Sequence, residues 1–349
     1  MMSRFFLGLA VTAGLFIASG CGRPAAPAAV DPDQIVGAGA TFPAPLYQVW
    51  LEKYQAQNPD VSLSYEAVGS GEGVQRFLGE TVDFGASDAA MSDENMASVE
   101  RGAQLIPATA GSIVIAYNLP GWEGKLRLSR EVYTAIFLGE ITDWNDERIQ
   151  QLHPEDPLPN LTITIAARRD SSGTTFAFTN HLSAISETWR DRGPGAGKLI
   201  DWPGQAMLAY GNEGVAAQIK RSVGAIGYVE YGMASRTELK MARLENKAGN
   251  YIAPSGDSGT ATLANAELPE NLRVFFPDPD GEDSYPIVTY SWLLLYKDYP
   301  DAKKAERLKR FVKWCLTDGQ EFSQELGYIR LAPKAVSRST AALENVQSN

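Results

Sequence analysis

The chain has 349 residues, of which 44% are hydrophobic and 10% aromatic, so it can bury a large core and is long enough for about two domains. Its formal net charge is −11, and it has no run of Lys and Arg residues that could follow a phosphate backbone. Nucleic acid is therefore excluded as an expected partner, and the composition predicts a globular, soluble body.

The first 20 residues have the pattern of an export signal. Arg4 gives a short positive region, residues 5–17 form an apolar run that is too short to span a bilayer comfortably, and small residues precede Cys21. This pattern predicts a signal peptide over residues 1–20 and resembles a bacterial lipobox, in which Cys21 would carry the lipid. The alternative is an ordinary secretory signal with an incidental cysteine. The proline-containing residues 21–34 predict an extended tether.

From residue 35 onwards, short strand patterns alternate with helix patterns. Ile35 and Val36 predict a strand that leads into a glycine-rich turn, and Pro43 fits the first turn of a helix that Pro59 ends. The predicted elements of this part are strands at 35–36, 61–65, 82–86 and 113–117, and helices near 43–57, 73–78 and from 92.

The middle and the C-terminal part of the sequence show the same alternation of strand and helix patterns. Ser129 can cap a helix that runs through Leu138, and Cys315 lies on the apolar face of the last helix, where it is expected to be a small buried side chain. The predicted elements are strands at 161–165, 225–229 and 287–296, and helices at 129–138, from 174, and at 302–316. The polar segment from Ser337 is expected to be loosely ordered.

Strands that alternate with helices indicate an α/β fold with mostly parallel sheets flanked by helices. Two lobes of this kind leave a cleft in which strand ends face each other, and this cleft is where a ligand is expected. We predict that lobe I is discontinuous and comprises residues 35–118 and 289–336, that lobe II comprises residues 119–288, and that residues 337–349 form a polar tail.

Four separated segments are rich in glycine and small hydroxyl side chains. They are GAGATFP (37–43), GSG (69–71), DFGASD (83–88) and RRDSSGT (168–174). Three of them look like turns that open onto helices, where free N–H groups and the helix dipole favour negative charge. Together they predict a cage for a small oxyanion. An acidic protein needs such a local cage of fixed dipoles, because its overall field repels anions.

Each segment taken alone has a structural explanation. Thr41 could cap a helix beside Pro43, and Asp88 could cap the segment that follows it. Arg168 and Asp170 could form a surface ion pair of little energetic worth. The joint occurrence of the segments favours the ligand interpretation, because all the separate explanations would otherwise have to coincide.

The sequence gives little support for an enzyme. The two histidines, His153 and His181, do not lie in a metal-ligand spacing such as H-E-x-x-H, and no G-x-S-x-G elbow is present. The glycines between residues 69 and 73 fit neither the G-x-G-x-x-G fingerprint nor the Walker A pattern. We therefore expect no catalytic residues, no metal and no cofactor.

These motifs resemble the PstS family, the periplasmic phosphate-binding proteins of Pst-type ABC transporters, over about residues 36–333. The strongest markers are GAGATFPAP (37–45), VDFGASD (82–88), RRDSSGT (168–174) and GAIGYVE (224–230), in the order of the family. The resemblance implies a type II periplasmic binding-protein fold, with two lobes joined by a hinge and one phosphate sealed between them. It also implies a monomeric, lipid-anchored receptor, exported to the periplasmic or cell-surface side of a membrane, that delivers phosphate to the permease subunits of an ATP-driven importer.

The resemblance also implies a role for each residue of the site. Hydroxyl and backbone N–H donors, one acceptor and one cation would surround the phosphate, and one carboxylate would hold the cation in place. In that order they are the donors Thr41, Phe42, Ser70, Ser172, Gly173 and Thr174, the acceptor Asp88, the cation Arg168 and its partner Asp170. The chain departs from the family pattern at Glu72, where a small residue is usual, and at Ser171, which replaces a frequent glycine.

The chemistry of these residues suits phosphate. Dibasic phosphate keeps a proton at neutral pH, and a buried Asp88 could accept a hydrogen bond from it. Sulfate has no such proton and would meet a like charge in a dry cleft, which costs several kcal/mol by order of magnitude. The forked donors of Arg168 match tetrahedral oxygens. The alternatives are a phosphate sensor or storage protein without transport, and a phosphatase, against which Asp88 argues because an ester group needs an exit and often removes that proton.

Overall fold

The computed structural model describes residues 33–264 and 266–348. The predicted signal peptide (1–20), the lipidation site Cys21 and the tether up to residue 32 lie outside the described residues. Within these two ranges, no helix combines the length and the apolar composition that crossing a bilayer requires.

Strands and helices alternate along the described part of the chain, in agreement with the sequence pattern. The strands are β1 (Ile35–Gly39), β2 (Leu63–Ala67), β3 (Phe84–Ser87), β4 (Ala103–Tyr117), β5 (Arg127–Leu128), β6 (Thr164–Arg168), β7 (Met207–Ala209), β8 (Ala225–Glu230), β9 (Lys240–Met241), β10 (Arg243–Glu245), β11 (Tyr251–Ile252), β12 (Val288–Tyr296), β13 (Asp298–Tyr299) and β14 (Gln347–Ser348). The helices are α1 (Ala44–Gln57), α2 (Ser70–Leu78), α3 (Asp93–Ala97), α4 (Arg130–Phe137), α5 (Glu147–Gln150), α6 (Gly173–Ile185), α7 (Gly211–Arg221), α8 (Tyr231–Arg236), α9 (Gly256–Leu263), α10 (Ala302–Leu316) and α11 (Pro333–Leu343). A π-helical turn (Thr188–Arg192) and a 3-10 turn (Asp318–Phe322) complete the set.

One mixed sheet organises the fold. Its strand order is β2-β1-β3-β12-β4-β8-β6-β7, and β9 pairs with the end of β4. The pairs β1–β2, β1–β3, β6–β7 and β6–β8 are parallel, as the alternating pattern predicts. The central pairs β3–β12, β12–β4 and β4–β8 are antiparallel, because the chain returns late through β12 and inserts it between β3 and β4.

Strand β4 is shared between two parts of this sheet. Its residues 103–112 pair with β12, from Ala103 opposite Tyr296 to Ser112 opposite Val288, whereas residues 113–117 pair with β8. We call β2, β1, β3, β12 and residues 103–112 of β4 the first half-sheet. Residues 113–117 of β4 with β8, β6 and β7 form the second half-sheet. A single continuous strand therefore links the two halves.

Strand β4 begins at Ala103 and not at residue 113, where the sequence pattern placed it. The first part of β4 does not look like a strand in the sequence, because its apolar run is interrupted by Gln104, Pro107 and Thr109. Every residue of β4 is nevertheless buried. The register with β12 shifts between Ser291 and Trp292, which leaves Ala108 as an extra residue beside Pro107. Such a bulge tolerates a proline, which has no N–H to donate to the ladder.

Three predicted elements extend further into the glycine- and hydroxyl-rich segments than the sequence pattern indicated. Strand β1 continues through Gly37 to Gly39, α2 begins at Ser70 rather than at residue 73, and β6 ends at Arg168 rather than at residue 165. Gly39 has a φ of +152°, and a Cβ there would lie 2.1 Å from the backbone oxygen of Ala86, so only glycine permits this close strand packing.

The C-terminal segment is ordered, which differs from the expectation of a loose tail after Ser337. Helix α11 spans Pro333–Leu343, the Ser339 hydroxyl donates to the carbonyl of Pro107 at 3.2 Å, and Leu343 and Val346 are buried. The segment looks polar because a helix on the surface turns only a few of its side chains inward. Helix α10 occurs as predicted, and Cys315 is fully buried in it, where burial raises the pKa of the thiol.

Candidate functional site

The four glycine- and hydroxyl-rich segments lie where strands end. Segment 37–43 begins within the last residues of β1, segment 69–71 follows β2, Asp88 follows β3, and segment 168–174 begins with the last residue of β6. The carboxyl ends of parallel strands are where α/β proteins place their ligands. Hydrogen bonds join the segments across the two half-sheets, including one from the backbone N–H of Gly71 to the carbonyl of Ser171 at 2.8 Å.

Asp88 lies in the middle of this arrangement and is 1% exposed. Its Oδ1 accepts a hydrogen bond from the Ser291 hydroxyl at 2.8 Å, and its Oδ2 accepts one from the Thr174 hydroxyl at 3.3 Å. Burial raises the pKa of Asp88 to about 7, against the opposing effects of the Ser291 hydrogen bond and the Arg168 charge. The carboxyl group is therefore poised to change protonation near neutral pH.

Arg168 supplies positive charge from the other half-sheet and is 2% exposed. Its Nε donates to Oδ1 of Asp170 at 2.8 Å, and its Nη2 donates to Oδ2 of the same carboxylate. Burial acts to raise the pKa of Asp170, but the hydrogen bonds and the charge of Arg168 hold this pKa below its usual value. Nη1 of Arg168 is buried and has no hydrogen-bond partner among the described residues. A buried cationic donor of this kind fits an anion.

Two helices begin at the site. Ser70 is the first residue of α2, and its Oγ accepts a hydrogen bond from the backbone N–H of Asp88 at 3.2 Å. Ser172 is the N-cap of α6, and its Oγ accepts from the backbone N–H of Thr175 at 3.1 Å. A Cβ on Gly173 would lie 2.6 Å from Ser70 Oγ, so the two helix starts are in close contact. Both positive helix ends thus face the same space.

Thr41 and Phe42 complete the set that the sequence predicts. The Thr41 hydroxyl oxygen accepts hydrogen bonds from Asn212, through the backbone N–H at 3.2 Å and through Nδ2 at 3.1 Å. The Phe42 side chain is fully buried, and its carbonyl accepts a hydrogen bond from the Tyr328 hydroxyl at 2.7 Å. The structure therefore brings all eight predicted site residues and Asp170 to one region at the junction of the half-sheets.

The separate structural explanations of these motifs are wrong. The N-cap of α1 is Pro43, with no side-chain cap bond, so Thr41 does not cap this helix. The first helix after Asp88 is capped by Ser92, whose hydroxyl accepts from Asn95 N–H. The Arg168 ion pair is buried and not a surface pair.

The two departures from the family pattern lie beside the site without obstructing it. The Glu72 side chain is 52% exposed and forms an ion pair with Arg76 at 2.9 Å, so it points outward from the start of α2. Ser171 uses its carbonyl to accept from Gly71, and a Cβ on Gly71 would lie 2.2 Å from Ser171 Oγ. Glycine at position 71 is therefore what allows the two segments to approach each other.

Two residues that contact the predicted site are not apparent from the sequence. Asn212 lies at the start of α7 and bonds Thr41 and Thr174, and Ser291 lies in β12 and bonds Asp88. The Gly211-Asn212 pair, which precedes a helical pattern after a short strand, could have indicated the first of these. Ser291 has no comparable signal, because a lone serine in an apolar strand is common.

A pocket of about 310 Å³ adjoins these residues at the surface. Thr41, Val68, Asp170, Tyr210 and Asn212 contribute to its lining. It lies beside the buried Asp88 and Arg168, which do not line it. The pocket therefore marks the outer rim of the site, and the fully buried groups lie behind it.

The described residues contain no group of three or more His, Cys, Asp or Glu side chains that could hold a metal ion. Both histidines are buried and bonded to the protein. His153 accepts from the backbone N–H of Arg127 at 2.8 Å through Nε2, and His181 contacts the Tyr133 hydroxyl at 2.8 Å. The ring nitrogens of the two histidines form hydrogen bonds with Arg127, Ile149, Tyr133 and Pro277, which are not predicted site residues.

Comparison with known proteins identifies the relatives of this fold and site. The PBP superfamily domain model matches residues 26–318. The phosphate-binding protein PstS of Haemophilus influenzae is 40% identical over 313 residues, which cover 87% of this chain and 91% of the relative. PstS of Pasteurella multocida is 38% identical over 311 residues, which cover 88% of this chain and 89% of the relative.

Solved structures show the same architecture. A phosphate-binding protein from Stenotrophomonas maltophilia matches with a TM-score of 0.72 at 22% identity, over 88% of this chain and 93% of that protein. This likeness confirms the two-lobed α/β binding-protein fold. By its fold, its motifs and its sequence identity to these relatives, the chain belongs to the PstS family of the PBP superfamily.

Proposed function

We propose that this protein captures inorganic phosphate in the cleft between its two half-sheets and delivers it to an ATP-driven importer of the ABC type. The relatives at 40% and 38% identity are named phosphate-binding protein PstS. The observation that carries the proposal is that one site holds both a buried Asp88 carboxyl and the buried Nη1 of Arg168, which has no hydrogen-bond partner among the described residues. One group attracts an oxyanion, and the other accepts a hydrogen bond from its proton.

Asp88 would distinguish phosphate from sulfate. Its Oδ1 is bonded to Ser291, whereas its Oδ2 is bonded to Thr174 across the cleft, so Oδ2 is the oxygen on the ligand side. When ionised, Oδ2 accepts the proton of monohydrogen phosphate as a hydrogen bond. Sulfate offers no proton and meets a like charge in a desolvated site, where the repulsion is strong.

The remaining residues would supply donors. Arg168 contributes charge through Nη1, and Thr41, Ser70, Ser172 and Thr174 contribute hydroxyl groups. Phe42 and Gly173 would contribute backbone N–H groups, the latter at the start of α6. With several charge-assisted bonds of about 1.5–3 kcal/mol each, affinity in the micromolar range or tighter is reachable after ordering costs.

Ligand-driven closure is the mechanism that we propose, with lobe I formed by residues 35–118 and 289–336 and lobe II by residues 119–288. The switch of β4 from β12 to β8 pairing near Ser112 supports a hinge in this region. Thr41, Phe42, Ser70 and Asp88 would lie on lobe I, and Arg168 and residues 172–174 on lobe II. A ligand that contacts both lobes favours the closed state through its differential affinity.

Export and anchoring are also part of the proposal. The apolar N-terminal run and Cys21 support a cleaved signal peptide and a lipid anchor on the periplasmic or cell-surface side of a membrane. The protein would act as a monomer. We propose no catalytic activity and no cofactor. The burial of Ser70, Asp88, Arg168 and Thr174, at 2% exposure or less, suits a small anion better than a phosphate ester.

Calorimetric titration of the protein, stripped of bound anion, with phosphate and then with sulfate at pH 8.5, where the Asp88 carboxyl is ionised, tests the proposal. Tight one-to-one binding of phosphate without a sulfate response is expected. Asp88→Asn should weaken the rejection of sulfate, and Arg168→Ala should lower the affinity for both anions. Absence of phosphate binding would refute the proposal, and hydrolysis of p-nitrophenyl phosphate would favour the phosphatase alternative.

A further inference from the structure

Asn212 uses its entire amide group to connect three parts of the site. Its Nδ2 donates to Thr41 Oγ1 at 3.1 Å and to Thr174 Oγ1 at 3.3 Å, and its Oδ1 accepts from the backbone N–H of Glu230 at 3.1 Å. The side chain is 1% exposed. Both amide hydrogens and the amide oxygen therefore have partners, and two of these partners are hydroxyl groups that we assign to phosphate binding.

The orientation of the Asn212 amide is fixed by Glu230. A backbone N–H can only donate, so the atom that faces it must be the amide oxygen, and Nδ2 must face the two threonines. Gly211 contributes to the same placement, because its φ of +66° lies in the left-handed region and its N–H donates to Asp170 Oδ1 at 3.1 Å. The turn before α7 is thus tied to the carboxylate that holds Arg168.

This orientation determines how the hydroxyl hydrogens are used. Thr41 Oγ1 receives two hydrogen bonds from Asn212, from the backbone N–H and from Nδ2, so its own hydrogen is available for another acceptor. Thr174 Oγ1 receives one bond from Asn212 and donates its hydrogen to Asp88 Oδ2. A donor at Thr41 suits an anion, whereas an acceptor there would repel it.

The bonds between Asn212 and Thr41 also cross the cleft. Thr41 follows β1 of the first half-sheet, whereas Asn212, Thr174 and Glu230 belong to segments that follow or end strands of the second half-sheet. Within the second half-sheet the bonds of Asn212 to Thr174 and Glu230 are local, but the bonds to Thr41 require the two halves to be together.

We propose that Asn212 is a positioning residue that holds the closed cleft around the anion and turns the Thr41 hydroxyl towards it. This inference rests on the proposed phosphate-binding function. It predicts that Asn212 acts mainly on the release of phosphate, because a bond that exists only in the closed state slows opening. Changes in affinity within one binding site usually appear in the dissociation rate.

The test compares the wild-type protein with Asn212→Ala, Thr41→Val and the double variant. Phosphate affinity is measured by calorimetry, and the dissociation rate by stopped-flow mixing with a phosphate-scavenging system. Asn246→Ala is the matched control, since Asn246 is also 1% exposed and its Nδ2 bonds three carbonyls away from the site, including that of Ser284 at 3.1 Å. Melting temperatures of all variants without phosphate report the purely structural effect.

We expect Asn212→Ala to speed phosphate release by about 10-fold or more, the size of effect that the loss of one or two buried hydrogen bonds produces. Thr41→Val should make the Asn212→Ala substitution much less harmful, because the two residues act through the same hydroxyl. Asn246→Ala should lower the melting temperature and leave the release rate unchanged.

An unchanged release rate in Asn212→Ala, or effects that add fully in the double variant, would overturn the inference. If the wild-type protein binds phosphate but the variants give either of these outcomes, the proposed function stands and the role of Asn212 is refuted. If the wild-type protein binds no phosphate, both fall.

Discussion

Arg168 and Asp170 form a two-point ion pair in which Nε donates to Oδ1 at 2.8 Å and Nη2 donates to Oδ2, and Nη1 has no partner in the described part of the chain. Arg148 and Asp146 form the same fork on the surface, with both bonds at 2.9 Å. The two pairs have the same geometry but differ in burial, because the Arg168 side chain is 2% exposed and the Arg148 side chain is 41% exposed. Because the Arg168–Asp170 pair is buried, Asp170 holds the guanidinium in one orientation and so fixes the direction of Nη1.

The first prediction follows from this comparison. Asp170→Asn should raise the dissociation constant for phosphate by about 10-fold, because it removes the charge that orients Arg168 and leaves a buried cation less well held. Asp146→Asn is the matched control and should leave phosphate affinity unchanged. Calorimetric titration of both variants measures the effect, and equal affinities of the two variants would contradict the aiming role.

The second prediction concerns pH and sulfate. Because burial raises the pKa of Asp88 to about 7, the carboxyl becomes neutral as the pH falls below that value and stops repelling sulfate. Sulfate affinity of the wild-type protein should therefore rise by about 10-fold per pH unit from pH 8.5 down to 7 and level off below it. Asp88→Asn should bind sulfate with little pH dependence. A flat wild-type profile between pH 8.5 and 5.5 would refute this role of Asp88.

The third prediction concerns Ser291, which donates to Asp88 Oδ1 at 2.8 Å. This bond favours the ionised carboxylate, so Ser291→Ala should raise the pKa of Asp88 further and move the midpoint of sulfate binding to higher pH. Sulfate rejection at neutral pH should weaken as a result. The measurement is the sulfate titration repeated across pH, and a midpoint equal to that of the wild type would show that Ser291 only fills space.

The fourth prediction uses a pair of matched glycines. Gly173 and Gly256 each begin a helix directly after a serine N-cap. A Cβ on Gly173 would lie 2.8 Å from the backbone nitrogen of Ala89, across the cleft, whereas a Cβ on Gly256 would meet no described atom within 4 Å. Gly173→Ala should hold the cleft partly open and lower phosphate affinity on the order of 10-fold or more.

Gly256→Ala should leave phosphate affinity unchanged. Small-angle scattering with saturating phosphate should give a larger radius of gyration for Gly173→Ala than for Gly256→Ala. The two variants should have similar melting temperatures without phosphate, because the close contact of Gly173 with Ala89 lies between the two half-sheets and not within either of them. Equal radii for both variants would mean that the cleft accommodates the added methyl group.

The fifth prediction concerns stability in acid. Burial lowers the pKa of His181 to about 4, against the opposing effect of the hydrogen bond to the carbonyl of Pro277, so the neutral ring is favoured in the folded state. Its contribution to folding is present above the unfolded pKa of about 6.5 and is lost as the pH falls towards 4, by about 3 kcal/mol.

Urea unfolding of the wild type and of His181→Gln at pH 7.5 and 4.5 measures this contribution. The difference in unfolding free energy between the two proteins should shrink at the lower pH, because glutamine does not titrate. A difference that stays constant between the two pH values would show that His181 remains neutral in the unfolded chain or is charged in the folded one.

Much of the site could be predicted from the sequence, because each motif is local. A glycine- and hydroxyl-rich turn between a strand and a helix indicates donors at a helix start, and the four segments 37–43, 69–71, 83–88 and 168–174 do converge. Helix α10 was predicted with its actual limits, since its apolar residues recur at helical spacing.

The missed residues share a physical reason. Ser291 reaches Asp88 across 203 residues of chain, and Asn212 reaches Thr41 across 171, so neither contact leaves a local pattern. The first ten residues of β4 were missed because a strand that is buried on both faces does not alternate and here includes Pro107. Local periodicity predicts elements, and long-range pairing must come from the structure.

The placement of β12 also governs the order in which the protein can fold. This strand lies between β3 and β4 and pairs Trp292 with Ser87 on one side and Pro107 on the other. The N-terminal strands β1 to β4 therefore remain a divided sheet until residue 288 and those after it have been synthesised. The first half-sheet begins first and is completed last, so a nascent chain exposes the unsatisfied edges of β3 and β4 until β12 is available.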